Sequence, residues 1–232
     1  MNEHYLGRLA DLEKNIGYTF KDKNLLLEAV THSSFANERK INKLRCNERL
    51  EFLGDAVLEI ISSDYLFKRF SELPEGKLSK MRSALVCEPA LYECSHAIKL
   101  SDFILLGKGE DNGGGREKPS VVSDAFEALI GAVYMDGGLT EAGRIIREYI
   151  LTEDQIKVAD ISDSKSYLQE IVQKDGLQHS IEYNILSETG PEHDKKFIVS
   201  VVIDGVEKGR GEGKNKKAAE KSAAMQAIKS GL

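Results

Sequence analysis

Apolar residues recur at helical spacing in six stretches of the first two-thirds of the chain: residues 24–30, 48–70, 77–86, 90–100, 123–136 and 140–149. Each predicts an amphipathic helix. Breakers separate them, Leu73-Pro-Glu-Gly in one place and a Gly-rich stretch from Gly107 to Ser120 in another. The second stretch has no GK[ST] and no strand before it, so it predicts a surface loop rather than a phosphate cradle. Polar and acidic residues over 152–162 read as a linker. Beyond them the period falls to two: Ile181, Tyr183 and Ile185 alternate with polar residues, as do Phe197, Val199, Val201 and Ile203. Asp204-Gly205 predicts a tight hairpin, and residues 206–211 a third strand. Helices near 165–173 and 217–230 flank the three strands. The pattern gives two domains, an all-α domain followed by a small α+β domain of order α-β-β-β-α, with no internal repeat.

A length of 232 residues suits one or two domains, and 41% hydrophobic with 30% charged residues excludes disordered and fibrous classes. No apolar run approaches the roughly 18 residues of a membrane span, and the N-terminal residues lack a secretion signal, so the expected location is the cytoplasm. Cys46, Cys87 and Cys94 show neither disulfide nor zinc spacing and read as reduced filler. The net charge of −6 argues against a nucleic-acid binder until it is located. Residues 161–232 carry 11 basic and 11 acidic side chains, so the whole −6 lies in residues 1–160. The two domains differ in electrostatic character.

The acids are not scattered. In Asn47-Glu-Arg-Leu-Glu-Phe-Leu-Gly-Asp-Ala-Val-Leu-Glu-Ile-Ile, with Glu48 at zero, Glu51 falls near 300°, Asp55 near 340° and Glu59 near 20° of a helical wheel. The leucines, isoleucines and Val57 occupy the opposite arc, so one core helix stacks four carboxylates on one face. Such a face is ordinarily just solvated. Two residues argue for more. Gly54 costs about 1 kcal/mol in a helix interior and implies a second helix in close approach. Phe52 lies near 40° on the same wheel, among the acids, where it reads either as a knob for a partner subunit or as a lone exposed aromatic.

A second acidic pair stands in Ser123-Asp-Ala-Phe-Glu-Ala-Leu-Ile-Gly-Ala, where Asp124 and Glu127 share a helix face while Phe126, Leu129, Ile130 and Val133 turn to the core. If that face meets Glu51 and Asp55, four carboxylates converge, and only protonation or a hard cation such as Mg²⁺ or Mn²⁺ makes them compatible. The chemistry this permits is metal-assisted phosphodiester hydrolysis without a covalent nucleophile. His32, in Thr31-His-Ser-Ser, and His96 read as capping or partly buried residues.

In the second domain Lys214, Lys216 and Lys217 gather at a helix N-terminus, where cations are disfavoured. A phosphate would reverse that cost; the alternative is a solvated lysine cluster. Gly190-Pro-Glu-His-Asp-Lys-Lys-Phe presents His193 on a loop between strands, with Lys195 and Lys196 behind it. Gln169 and Gln173 lie one turn apart on the first helix. Helix, loop and basic helix start are chemically suited to two minor-groove stretches of A-form RNA and the phosphates between them.

These motifs resemble those of bacterial ribonuclease III over nearly the whole chain: Asn47-Glu-Arg-Leu-Glu-Phe-Leu-Gly-Asp is similar to the family's signature and Ser123-Asp-Ala-Phe-Glu-Ala-Leu-Ile-Gly-Ala to its second acidic motif. Gly190-Pro-x-His193-x-x-x-Phe197 and Lys216-Lys217-x-Ala219 resemble a double-stranded-RNA-binding domain, with Asn215 where Ser is more usual. The resemblance implies a helical endonuclease domain over 1–151, a linker over 152–162 and an RNA-binding domain over 163–232. It implies that Glu51, Asp55, Asp124 and Glu127 hold Mg²⁺, that Asp55 and Glu127 are the most directly catalytic, and that Glu48 and Glu75 are supporting acids. Glu59 matches no family position. A homodimer follows from the resemblance, with Phe52 inserted into the partner, each site cutting one strand to leave 5′-phosphate and 3′-hydroxyl ends with two-nucleotide 3′ overhangs. Precursor ribosomal RNA and structured messenger RNA are the implied substrates. Two rival readings are an RNA-binding regulator whose acidic half only dimerises, and a metal phosphohydrolase acting on small nucleotides.

Overall fold

The computed structural model describes residues 3–40, 45–162, 164–174, 178–191 and 195–231. These form two compact units, one from the residues up to Leu73 with Arg82–Gln155, the other from Pro74–Met81 with the residues from Ile156 onward. The helices, in chain order, are α1 (Glu3–Ile16), α2 (Lys23–Ala29), α3 (Ser33–Glu38), α4 (Glu48–Arg69), α5 (Glu75–Leu85), α6 (Glu88–Ala97), α7 (Lys108–Asn112), α8 (Pro119–Tyr149), α9 (Glu153–Ser162), α10 (Ser164–Val172) and α11 (Lys216–Lys229). The strands are β1 (Ile181–Thr189), β2 (Lys196–Ile203) and β3 (Val206–Gly213).

The core of the first unit is α8. Phe126, Ala128, Leu129, Ile130, Ala132 and Val133 are all fully buried, the profile of a helix surrounded on every side. The two helices expected over 123–136 and 140–149 are one element kinked at Gly138, whose φ of 76° is open to glycine. Across α8 lies α4. A Cβ on Gly54 would stand 1.8 Å from the Glu127 carbonyl oxygen, and one on Gly131 would stand 2.2 Å from that of Leu50. The helices therefore touch backbone to backbone, the close approach that Gly54 implied.

Two features position these helices. The Thr31 carbonyl accepts the Asn47 amide (2.8 Å), fixing the start of α4. The Asp136 carboxylate, beside the α8 kink, accepts the Tyr18 hydroxyl (2.8 Å) and the amides of Lys21 and Asp22 (2.9 Å each).

The second unit carries an antiparallel sheet in the order β1-β2-β3. Phe197, Val199, Val201 and Ile203 bury one face of it against Leu168 of α10 and Ala219, Ala223, Ala224 and Ala227 of α11. Asp204 and Gly205 have φ of 49° and 80°, the positive pair of a two-residue hairpin. In β3 a Cβ on Gly211 would sit 2.0 Å from the Ala223 amide nitrogen, so the glycines let α11 lie directly on the strand.

Residues 152–162, expected as a linker, are helical over Glu153–Ser162, because Ile156 and Ala159 at helical spacing are both buried. Residues 74–81, expected within the first domain, group with the second unit. Among the described residues no helix is long and apolar enough to cross a membrane.

Candidate active site and nucleic-acid interface

The crossing of α4 and α8 at Gly54 and Gly131 puts Glu51 and Asp55, on one helix, in electrostatic range of Asp124 and Glu127 on the other. Burial, reinforced by the charges of Asp55, Glu51 and Asp124, pushes the Glu127 carboxyl up to about 8. Burial also raises Glu51, followed by the charges of Asp124, Glu48 and Asp55. Asp124 is raised by burial and then by Glu88, against an opposing effect of His32. Asp55 is exposed. None of the four makes an ion pair with a Lys or Arg among the described residues.

Three half-buried carboxylates whose charged forms are disfavoured, with exposed Asp55 beside them, fit a hard divalent cation in chemistry and electrostatics. As placed, no three His, Cys, Asp or Glu side chains among the described residues stand close enough to cage an ion. The backbone crossing fixes the neighbourhood of the four carboxylates.

Other acids divide by environment. Glu59 pairs with Arg82 at 2.8 Å, and the same arginine donates to Ser63 Oγ at 2.9 Å, which gives Glu59 a structural role. Glu48 is exposed at the start of α4. Glu75, exposed in the first turn of α5, accepts a hydrogen bond from Ser79 Oγ at 2.7 Å. Glu88, in the first turn of α6, is an acid facing Asp124 that the sequence reading passed over. An acid there reads as an ordinary helix start, so no local signal separates it. His32 caps α3, its Nδ1 accepting the Ser34 amide at 3.2 Å, and exposed His96 makes an edge contact with the Tyr92 ring.

Phe52 is 81% exposed, and Ile60 and Phe67 continue the apolar stripe along α4 at 56% and 72%. Large apolar side chains exposed on one helix mark an interaction face.

In the second unit Gln169 is exposed on α10 and Gln173, expected on the same helix, is exposed in the turn just after its end at Val172. Lys214, Lys216 and Lys217 are exposed around the N-terminus of α11, and none has an ion-pair partner among the described residues. Asn215 caps that helix, its Oδ1 accepting the Ala218 amide at 2.9 Å, the service the more usual Ser would perform. Lys195 is tied to Glu188 at 2.6 Å. His193 lies outside the described residues.

Comparison with known proteins follows this division. A family model described as Ribonuclease-III-like matches residues 22–154, and one described as Double-stranded RNA binding motif matches residues 164–230. The chain is 45% identical over 229 residues to Ribonuclease 3 of Geobacillus sp. strain WCH70, covering 98% of this chain and 93% of that one. Ribonuclease 3 of Listeria monocytogenes strain HCC23 is 46% identical, covering 94% and 95%. The crystal structure of the nuclease domain of ribonuclease III from Campylobacter jejuni superimposes with a TM-score of 0.56 at 48% identity, covering 61% of this chain and 92% of that domain. With both domains matched in order and relatives this similar over nearly the full length, the chain belongs to the ribonuclease III family and is a double-stranded-RNA endoribonuclease.

Proposed function

We propose that Glu51, Asp55, Asp124 and Glu127 hold Mg²⁺, with Mn²⁺ able to replace it, and that Asp55 and Glu127 are the residues closest to the chemistry. When bound, the ion activates water for attack on the phosphodiester and stabilises charge on the phosphoryl and leaving oxygens. The observation that carries this reading is a Glu127 carboxyl half-buried among three other acids, none of them paired with a Lys or Arg among the described residues. Without a cation Glu127 keeps its proton at neutral pH; its carboxylate is released for ligation as the site fills. Glu48 and Glu75 support the site from its margin.

Phe52 anchors a homodimer through the exposed face of α4. A nuclease domain of this family has been described with structural flexibility in a region involved in dimer formation, and two sites facing one duplex would each cut one strand. The products would carry 5′-phosphate and 3′-hydroxyl ends with two-nucleotide 3′ overhangs. Residues 163–232 hold the duplex: Gln169 and Gln173 in one minor-groove stretch, His193 and Lys195 in the next, and Lys214, Lys216 and Lys217 on the phosphates between. Precursor ribosomal RNA and structured messenger RNA in the cytoplasm are the substrates this reading assigns.

The test is incubation of the full chain with a long labelled RNA duplex, with Mg²⁺ and with chelator, followed by sizing and end analysis. Staggered fragments with 5′-phosphates in Mg²⁺ alone support the reading. Equal cutting in chelator, or blunt ends, would overturn the metal or the dimer geometry respectively.

A further inference from the structure

The second unit contains a cleft of about 480 Å³ between α10 and the start of β1, a volume in the range of small-molecule sites. One rim is formed by the amides of Gln169 and Gln173, with Ser166 beside them. The opposite wall is His179, Ile181 and Tyr183. His179 is held in orientation by its Nδ1 against Asp204 at 2.5 Å, and the same carboxylate accepts the Ser180 amide at 2.9 Å. Lys165 lies over the Tyr183 ring at 4.2 Å and pairs with Glu220 at 2.6 Å, so that cation is committed to the wall and does not serve as an open charge.

The lining is therefore directional, with two amides, a hydroxyl and an imidazole beside one ammonium that is already paired. A phosphate finds no uncommitted lysine there. A planar heterocycle does find partners, because amides offer both donor and acceptor to a base edge while Ile181 covers its face. The glutamines at the rim are the residues assigned above to the minor groove, so the cleft opens beside the RNA track. A paired base cannot leave the stack to reach it; an unpaired one pays little to swing out.

We infer that this cleft seats a single unpaired nucleobase next to the duplex, giving the enzyme a preference for helices interrupted by a bulged nucleotide. The inference rests on the duplex-binding role proposed for α10.

The test compares the full chain, in chelator so that RNA stays intact, on a perfectly paired duplex and on the same duplex with one central unpaired nucleotide. The expected result is about tenfold tighter binding of the interrupted duplex, the effect of one stacked and hydrogen-bonded base. A 2-aminopurine at the unpaired position should change in fluorescence on binding. Ile181→Trp, which fills the cleft, and His179→Asn, which keeps a donor for Asp204 while removing the ring, should both erase the preference and leave paired-duplex affinity within about twofold. If Ile181→Trp fails to fold, His179→Asn decides alone. Equal affinity for the two RNAs overturns the inference while leaving the duplex-binding reading intact, as does a preference that survives in the folded variants. Binding of neither RNA overturns both.

Discussion

Removing the charge of Glu127 should change how stability depends on pH. In the metal-free fold its carboxyl titrates near 8, against 4.5 for an unperturbed glutamate, because burial and then Asp55, Glu51 and Asp124 disfavour its ionised form. The sign follows from linkage: the folded state binds this proton more tightly than the unfolded state, so the stabilisation is complete below about 4.5 and is lost as pH rises to about 8. A shift of that size sets an upper limit of about 5 kcal/mol, and the partial exposure of the group reduces it to about 2 kcal/mol. Glu127→Gln cannot ionise and retains hydrogen-bonding capacity. Urea or thermal unfolding in chelator from pH 5 to 8.5 should show the two proteins converging at the acid end. At the alkaline end the variant should unfold about 5 °C higher. Adding Mg²⁺ at pH 8 should stabilise the parent and leave the variant nearly unmoved, because only the parent presents the full ligand set. Parallel pH profiles for the two proteins would refute the claim that Glu127 is an uncompensated buried acid.

Gly54→Ala places a methyl group where only 1.8 Å separates it from the Glu127 carbonyl oxygen, so α4 and α8 must separate. A loss of about 3 kcal/mol in chemical denaturation is expected, with cleavage falling further than binding because the acids move with the helices. Phe52→Asp sets a charge in the exposed apolar strip of α4 and should shift the protein to monomer in sedimentation, with thermal stability of the isolated subunit unchanged because the ring is 81% exposed. Replacing Lys214, Lys216 and Lys217 together by Ala should weaken duplex binding and reduce the slope of log affinity against log salt by about 2 to 3. An unchanged slope would remove these lysines from the phosphate contacts.

Much of this was legible because it is periodic. The stacked acids of α4, the β alternation of 197–203 and the Asp204-Gly205 turn each repeat a local rule, and the structure has α4 over Glu48–Arg69 and β2 over Lys196–Ile203. What escaped is set by partners distant in sequence. Asp136 reads as a surface acid, yet it closes the turn after α1 by accepting from Tyr18, Lys21 and Asp22, more than 110 positions away. Glu59 sits among the stacked acids on the wheel but belongs to Arg82. Polar and charged residues outnumber apolar ones in 152–162 by seven to four, and that count does not show the burial of Ile156 and Ala159 that accompanies its helix. Helix periodicity gives the face a residue occupies, not what stands opposite it.

The α4–α8 crossing shows why the site and the core are inseparable here. A pair of glycines brings two backbones into contact. The same contact carries Glu51 and Glu127 into surroundings where burial alone disfavours their charge. A looser crossing, with alanines in place of Gly54 and Gly131, would let water solvate the acids and remove their mutual repulsion. Their reason to gather a cation would go with it. The fully buried faces of Phe126, Leu129 and Ile130 on α8 hold the helices together against that repulsion. On the metal-binding role proposed for these acids, a substitution that relaxes the crossing should weaken metal affinity even where every carboxylate remains in place.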